Sequence, residues 1–480
     1  MRKFFTAVLV VVLLLAVAVL YHTLRAKPWP ITRATTLPAL PDSAVAHLSE
    51  AIRIQTVSPE EATKMDSAPF IEYRAFLEKS YPLVHQRLTR IICEKYSYAY
   101  VWKGTDSTLS PHILMAHYDV VPVEPSAVKL WTALPFGGEV KDGSIWGRGA
   151  VDDKSSMIAI MEAAESLLKQ GFQPKRTVLL CFGYNEESSG SGARAIVAWL
   201  QQQKIRASLV VDEGGEISRE KFKDLKRPVA MIGVGEKGYV TFDLLAQHPG
   251  GHSSRPDPET SIDILAKALV NLRSVQTPER ILPPVRELLT RVGSNSDDFI
   301  QRAMLNNLWL FQPIVVSQLE KDPDSRAMIS TTLVPTILES GIRENVIPSN
   351  AKAIVNSRIL PGETYKDVEA FVKKAIHDDR VKITIAGDFA NDPSATTDVQ
   401  SPAFSLVQKA ITAVTDSVIP TPFIMLGATD SRPYRMISDG VINFTPLTDT
   451  KGFHGIDERV PVAEYRRAIG FYEFLIRDQP

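Results

Sequence analysis

Apolar residues recur along this chain in two rhythms that alternate. His112–His117, Arg176–Phe182 and Ser208–Val211 are short runs of strand length, while Ser155–Lys169 and Ala193–Gln203 read as helices. Strand, helix, strand, helix, strand at this spacing predicts a parallel sheet covered by helices. Functional groups are then expected where strands end in loops, at the carboxyl edge of the sheet. Upstream, helical patterns at about 43–57 and 67–80 lead into strands at about 97–103 and 111–117.

The rhythm changes near Gly235. Tyr239–Leu245 and Ala351–Ile359 read as strands around the helices Ile262–Leu272 and Tyr365–Ile376, which predicts a separate α+β domain. A last region, about 394–480, returns to helix (Ser401–Thr415), strand and helix (Val462–Ile476), and completes the first sheet. At the other end, Arg2-Lys3 precede an uncharged apolar run from Phe4 to Tyr21, with Arg25 and Lys27 behind it and a Pro-containing linker from Pro28 to Pro41. The run sits at the short edge of the roughly 17–25 residues that span a bilayer. It predicts a signal anchor, with a cleaved signal peptide as the alternative, and delivery of the body outside the cytoplasm, membrane-anchored or secreted.

Composition narrows the function. The 480 residues are 44% hydrophobic and 23% charged, ordinary for a globular chain with a large core. A formal net charge of -1 gives no pull toward nucleic acid, so the membrane enters only through the N-terminal segment. Cys93 and Cys181 are the only cysteines, and Cys181 lies in a strand-like apolar run, so metal ligands are sought elsewhere.

His117 and Asp119, two apart at a strand end, point to one face, where an imidazole can bind a metal and a carboxylate orient it. A glycine-rich turn, Gly147-Arg-Gly149, delivers Asp152 and Asp153 just before a helix, and Glu186-Glu187 follow the next strand. Adjacent carboxylates beside a metal divide the work, one ligating and the other taking a proton. Asp212 closes another strand, and His454 stands in a late glycine-bearing loop. Histidine and carboxylate donors without cysteine suit a pair of zinc ions, with cobalt or manganese fitting the same set.

Taken in order, HxD, GRGxxDDK, NEE, DEG and HGxDE resemble the co-catalytic zinc peptidase family of aminoacylase-1, acetylornithine deacetylase, carnosinase and carboxypeptidase S. The combination of membrane-proximal N-terminus, DEGG and LGATDSR is most similar to the carboxypeptidase S and N-fatty-acyl-amino-acid hydrolase/synthase branch. The resemblance implies an α/β fold: a catalytic domain with a mainly parallel central sheet flanked by helices, in residues 31–236 and 394–480, after an N-terminal segment 1–30. An α+β lid is inserted at 237–393. It implies two Zn2+, His117 and Asp212 on one, Glu187 and His454 on the other, and Asp152 bridging, with a cis bond after Asp152.

By the same resemblance Asp119 tunes His117, Glu186 is the general base, and His252 stabilises the oxyanion. Arg358 grips the substrate carboxylate, and Asn345 and Gly427 add substrate contacts. The expected activity is hydrolysis of an amide next to a free carboxylate, as a carboxypeptidase on short peptides or as an N-acyl-amino-acid hydrolase/synthase. A long segment from Ile281 to Gly341 departs from small-lid members of the family, leaving the oligomeric state, and whether His252 serves its own subunit, open.

Overall fold

The computed structural model describes residues 1–35, 37, 42–59 and 64–477. Residues 36 and 38–41 of the expected linker, and 478–480 of the last region, lie outside the described residues.

The large sheet carries, in order, Thr89–Glu94, Ser97–Trp102, Val178–Gly183, His112–His117, Leu209–Asp212, Val441–Asn443, Val229–Glu236 and Ile419–Met425, with Ile217–Ser218 paired beside Val229–Glu236. The middle four run parallel, and the outer strands mix directions. His112–His117, Val178–Gly183 and Leu209–Asp212 are buried at every position, which is why they read as unbroken apolar runs. Met157, Ile160, Phe404 and Phe471 pack on one face, and Ile196, Val197, Leu200 and Tyr434 on the other.

Register brings the strand ends level. His117 stands opposite Gly183, and Asn443 opposite Asp212, so the residues that follow emerge along one edge. The fold class expected from the sequence, α/β with a mainly parallel central sheet, is the one observed.

A second, antiparallel sheet holds Thr332–Ser340, Asn350–Ile359, Gly238–Gln247 and Val381–Asn391. Burial alternates strictly along Asn350–Ile359, because one face lies on the helices Ser261–Ser274 and Tyr365–Ile376. Each of those helices begins with a reciprocal cap, Thr260 with Asp263 and Thr364 with Asp367. The helices between Pro283 and Ile329, contiguous in sequence with this lid, pack elsewhere. Val285, Leu288, Leu289 and Val292 lie on Met231, Ile419 and Phe423 at the edge of the large sheet.

Three short strands, Arg459–Pro461, Ser144–Trp146 and Glu139–Lys141, tie the late chain to the glycine-rich turn. A buried ion pair fixes that junction. Arg148 Nη1 donates to Glu458 Oε2 at 2.6 Å, while Glu458 Oε1 accepts from the backbone N–H of Val151 at 2.8 Å and of Asp152 at 3.1 Å. Arg148 Nη2 also donates to the Gly455 carbonyl at 2.9 Å.

Glu458→Gln leaves Arg148 as an uncompensated buried cation, which costs about 3–5 kcal/mol. Chemical denaturation monitored by far-UV circular dichroism is expected to show that loss; stability within about 1 kcal/mol of the parent would remove the pair from the framework.

Candidate active site

Each chemical group at the carboxyl edge arrives on the end of a separate element. His117 ends its strand and Asp119 lies two residues on; both are fully enclosed. The Asp119 carboxylate accepts the backbone N–H of Glu186 on one oxygen and of Glu187 on the other, each at 3.1 Å. Its Oδ1 also lies 3.3 Å from His117 Nδ1. One side chain therefore sets both the imidazole and the acidic loop.

Asp152 sits between the two histidines, 2.8 Å from His117 Nε2 through Oδ1 and 2.8 Å from His454 Nε2 through Oδ2. The bond to Asp153 is cis. His454 Nε2 is also 3.2 Å from Glu187 Oε1, and its ring stacks on Phe453 at a centroid separation of 4.3 Å. The His454 backbone is left-handed, with φ of 53°, as the glycine-bearing loop folds back over the turn.

Asp212 does not join this cluster. Strand alternation puts it on the face of Val210, where Oδ2 accepts from the Thr429 hydroxyl at 2.8 Å. Glu213, one residue on, points the other way, and its Oε1 lies 3.3 Å from His117 Nε2. The Asp-Glu pair of this strand end thus presents its second carboxylate to His117. The alternation of Val210, Val211 and Asp212 is the sequence signal that distinguishes the two.

Other groups surround the cluster. Glu236, fully buried, accepts from Ser431 at 3.1 Å and lies 3.0 Å from the Thr429 hydroxyl, while Asn443 Nδ2 donates to the Glu213 carbonyl at 3.0 Å. Asp430 packs so closely on Gly183 that a Cβ there would meet its carboxylate.

Of the four expected substrate groups, only Gly427 lines the cavity of about 420 Å³ beside the cluster, with Asp152, Glu186, Glu187, Glu213 and His454. His252 and Asn345 stand together on the lid: the two-strand pairing sets His252 opposite Val346, and Ser253 N donates to the Asn345 carbonyl at 3.2 Å. Both are exposed, and His252 Nδ1 bonds Ser254 Oγ at 2.8 Å. Arg358 lies on the lid sheet with its guanidinium 4.9 Å over the Tyr239 ring.

Charge explains the electrostatics. Burial would lower His117, but Glu213, Asp119 and Asp152 together raise it well above the usual imidazole range. Hydrogen bonds from Asp152 and then Glu187 lift His454 to about 10. Asp152, which burial alone would raise, is drawn below the usual carboxylate range by the two histidines. Burial pushes Glu186 upward, reinforced by Asp430, Asp152 and Glu187, and likewise pushes Glu213 upward and Asp430 to about 8.

The cluster has the donors of a metal centre. Ligand-capable atoms of His117, Asp153 and Glu213, of His117, Glu186 and Glu187, and of Asp152, Glu187 and His454 form three groups whose members lie within 4.8 Å of one another. Asp153 is fully buried with neither carboxylate oxygen hydrogen-bonded among the described residues, and burial pushes it well above the usual carboxylate range, an unmet polar demand that divalent cations would relieve. Both histidines hold protons that coordination must displace, so apparent metal affinity rises with pH below the His454 value of about 10. Isothermal titration of the chelator-stripped protein with Zn2+, in buffers of different ionisation enthalpy, is expected to show proton release; an affinity flat with pH contradicts this charge state.

The model of peptidase family M20/M25/M40 matches residues 113–478. The chain is 38% identical over 439 residues to the N-fatty-acyl-amino acid synthase/hydrolase PM20D1 of Mus musculus, covering 89% of this chain and 86% of that protein. It is 36% identical over 440 residues to the probable carboxypeptidase S-like 2 of Dictyostelium discoideum, covering 90% and 84%. Among solved structures, the M20 family metallo-carboxypeptidase Sso-CP2 of Sulfolobus solfataricus superposes with a TM-score of 0.64 at 19% identity, over 91% of this chain and 99% of that one. The chain belongs to peptidase family M20/M25/M40, a family of metal-dependent hydrolases, and lies in its carboxypeptidase S-like and N-fatty-acyl-amino acid hydrolase/synthase branch.

Proposed function

We propose that the chain hydrolyses the amide bond between an acyl group and an amino acid that keeps its free carboxylate, with two Zn2+ held at the strand ends. The observation that carries this reading is the convergence of Glu186, Glu187, Asp152, Glu213 and His454 on a single cavity. His117 and Glu213 would hold one ion and Glu187 and His454 the other, with Asp152, which touches both histidines on separate oxygens, shared by the two sets. Glu213 thereby takes the place first expected of Asp212, whose carboxylate is occupied by Thr429.

When bound, the ions supply Lewis acidity toward the scissile carbonyl and a water. The residues do the rest. Glu186, whose carboxylate burial pushes upward, receives the proton of the attacking water and passes it to the departing amine. Asp119 holds the main chain of Glu186 and so aims that carboxylate. Lid closure brings His252 and Asn345 over the carbonyl, where an imidazole N–H stabilises the developing oxyanion, and brings Arg358 to the substrate carboxylate.

The same cavity is also lined by Met231, Phe423, Met425 and Leu426, apolar groups that suit an acyl chain better than a polar peptide. That observation favours N-acyl amino acids, the class in the name of the mouse relative, over the short peptides implied by the carboxypeptidase S-like name. The N-terminal apolar helix, as signal anchor or signal peptide, puts this chemistry outside the cytoplasm.

Hydrolysis of matched Gly-Leu and N-oleoyl-Leu by the chelator-stripped chain, with and without two equivalents of Zn2+, tests the reading. Zinc-dependent preference for the oleoyl compound is expected; preference for Gly-Leu makes the protein a carboxypeptidase, and no zinc-dependent turnover of either sinks the proposal.

Glu186→Gln is expected to keep both metals while kcat falls about 10²–10⁴-fold, the usual contribution of a positioned acid–base group. Near-normal turnover would remove its role. Glu213→Gln is expected to bind one metal equivalent fewer by elemental analysis than Asp212→Asn; the reverse order would return the ligand to Asp212.

A further inference from the structure

We propose that the helices Phe299–Asn306 and Leu308–Leu319 form a second membrane contact, lying in the lipid–water interface beside the N-terminal helix and holding the catalytic body against the bilayer.

The N-terminal helix Arg2–Arg25 spans 24 residues, about 36 Å, against roughly 30 Å of bilayer hydrocarbon. It is apolar and exposed along its length except at half-buried Ala18 and Val19 and at Thr23. That buried residue marks where the helix is gripped. Asn307 Nδ2 lies 3.1 Å from Thr23 Oγ1 and 3.3 Å from the Val19 carbonyl, and Arg302 donates to the Ala26 carbonyl at 2.5 Å. Asn307 is itself fully enclosed, so these are polar groups satisfied away from water. The chain after the helix is fastened as well: Trp29 N donates to Asn295 Oδ1 at 3.1 Å, and the Arg291 guanidinium lies 4.6 Å over the Trp29 ring.

Depth follows from this attachment. Val19 is six residues before Arg25, about 9 Å along the helix. The groups that grip it therefore sit within the last turns of a span, at the depth where interfacial helices bury about 5–10 Å into the headgroup boundary.

The two helices have a surface fit for that level. No charged residue occurs between Arg302 and Glu320. Leu308–Leu319 is mainly apolar, with Gln312, Ser317 and Gln318 as its polar side chains, and Trp309, Leu310 and Ile314 are exposed on it, as are Phe299 and Ile300 on its neighbour. Its 12 residues reach about 18 Å, too short to cross, so it lies along the boundary. Continuity with the N-terminal span selects a lipid surface as the occupant rather than another protein. Beneath these helices Leu308 and Val315 share an apolar layer with Met231 and Phe423, the residues that also line the catalytic cavity.

The test uses the full chain in phosphatidylcholine nanodiscs with Cys93→Ser, leaving buried Cys181, and an environment-sensitive dye on Ile314→Cys. Leu310→Cys provides a second site should the first variant fold poorly, and Lys374→Cys, exposed on the lid, is the aqueous control. The expected result is iodide quenching at 314 at least about fivefold weaker than at 374, together with strong quenching by spin-labelled acyl chains. Iodide access equal to the control overturns the proposal. Protection from iodide without quenching by lipid also overturns it, in favour of a second copy of the chain covering this face. Neither readout depends on turnover, so the result stands apart from the assigned reaction.

Discussion

The buried Arg148–Glu458 pair is the constraint on which the rest of the site rests. Asp152 and His454 belong to segments that share no strand of the large sheet, and the pair joins them by spending all of the Glu458 carboxylate: one oxygen on the guanidinium, the other on the backbone of Val151 and Asp152. Thr132, which hydrogen-bonds Asp457 through both N–H and hydroxyl at 2.6 and 2.8 Å, holds the same loop from outside. Removing two charges from water is expensive, and here both Glu458 oxygens and both terminal nitrogens of Arg148 are hydrogen-bonded. What the pair contributes is position: it sets the two oxygens of Asp152 where two imidazoles meet them.

Around that frame the fold tolerates a concentration of acid that no soluble core would choose. Asp119 and Asp212 accept hydrogen bonds from local donors, two backbone amides in one case and a hydroxyl in the other. Among the described residues, Asp153 has no hydrogen-bond partner on either oxygen, and Asp430 lacks one on Oδ2. Burial and mutual repulsion push Glu186, Glu213 and Asp430 toward their neutral forms. Such a cluster lowers stability until cations enter, so metal affinity and folding free energy are drawn from the same source.

How much of this was legible in the sequence depends on the range of the interaction. The central strands were readable because they are buried on both faces and so carry unbroken apolar runs. His117, Asp119, Asp152, Glu186 and Glu187 followed, since each stands just beyond such a run or before a helix. The difference between Asp212 and Glu213 turns on one step of strand alternation, which a motif blurs and which sets Asp212 against Thr429 and Glu213 toward His117. Longer-range facts were not encoded locally. Val285, Leu288, Leu289 and Val292 form a clear helical stripe, but nothing in it says that its partner is the edge of the large sheet rather than the lid. His252, Asn345 and Arg358 were singled out by motif alone, and they reside on a sheet whose placement over the cavity is a rigid-body matter.

The separation of Asp152 from His454 by 302 positions has a meaning in time as well as in space. At about 5–20 residues per second of synthesis, roughly 15–60 s separate the appearance of these two groups. During that interval the remaining central strands, the lid and the apolar helices emerge, while the centre lacks its last imidazole and the carboxylate that clamps it. A hydrolase assembled in this order has no complete catalytic centre until the segment around His454 and Glu458 has been made, and that segment acts as the key that arms it.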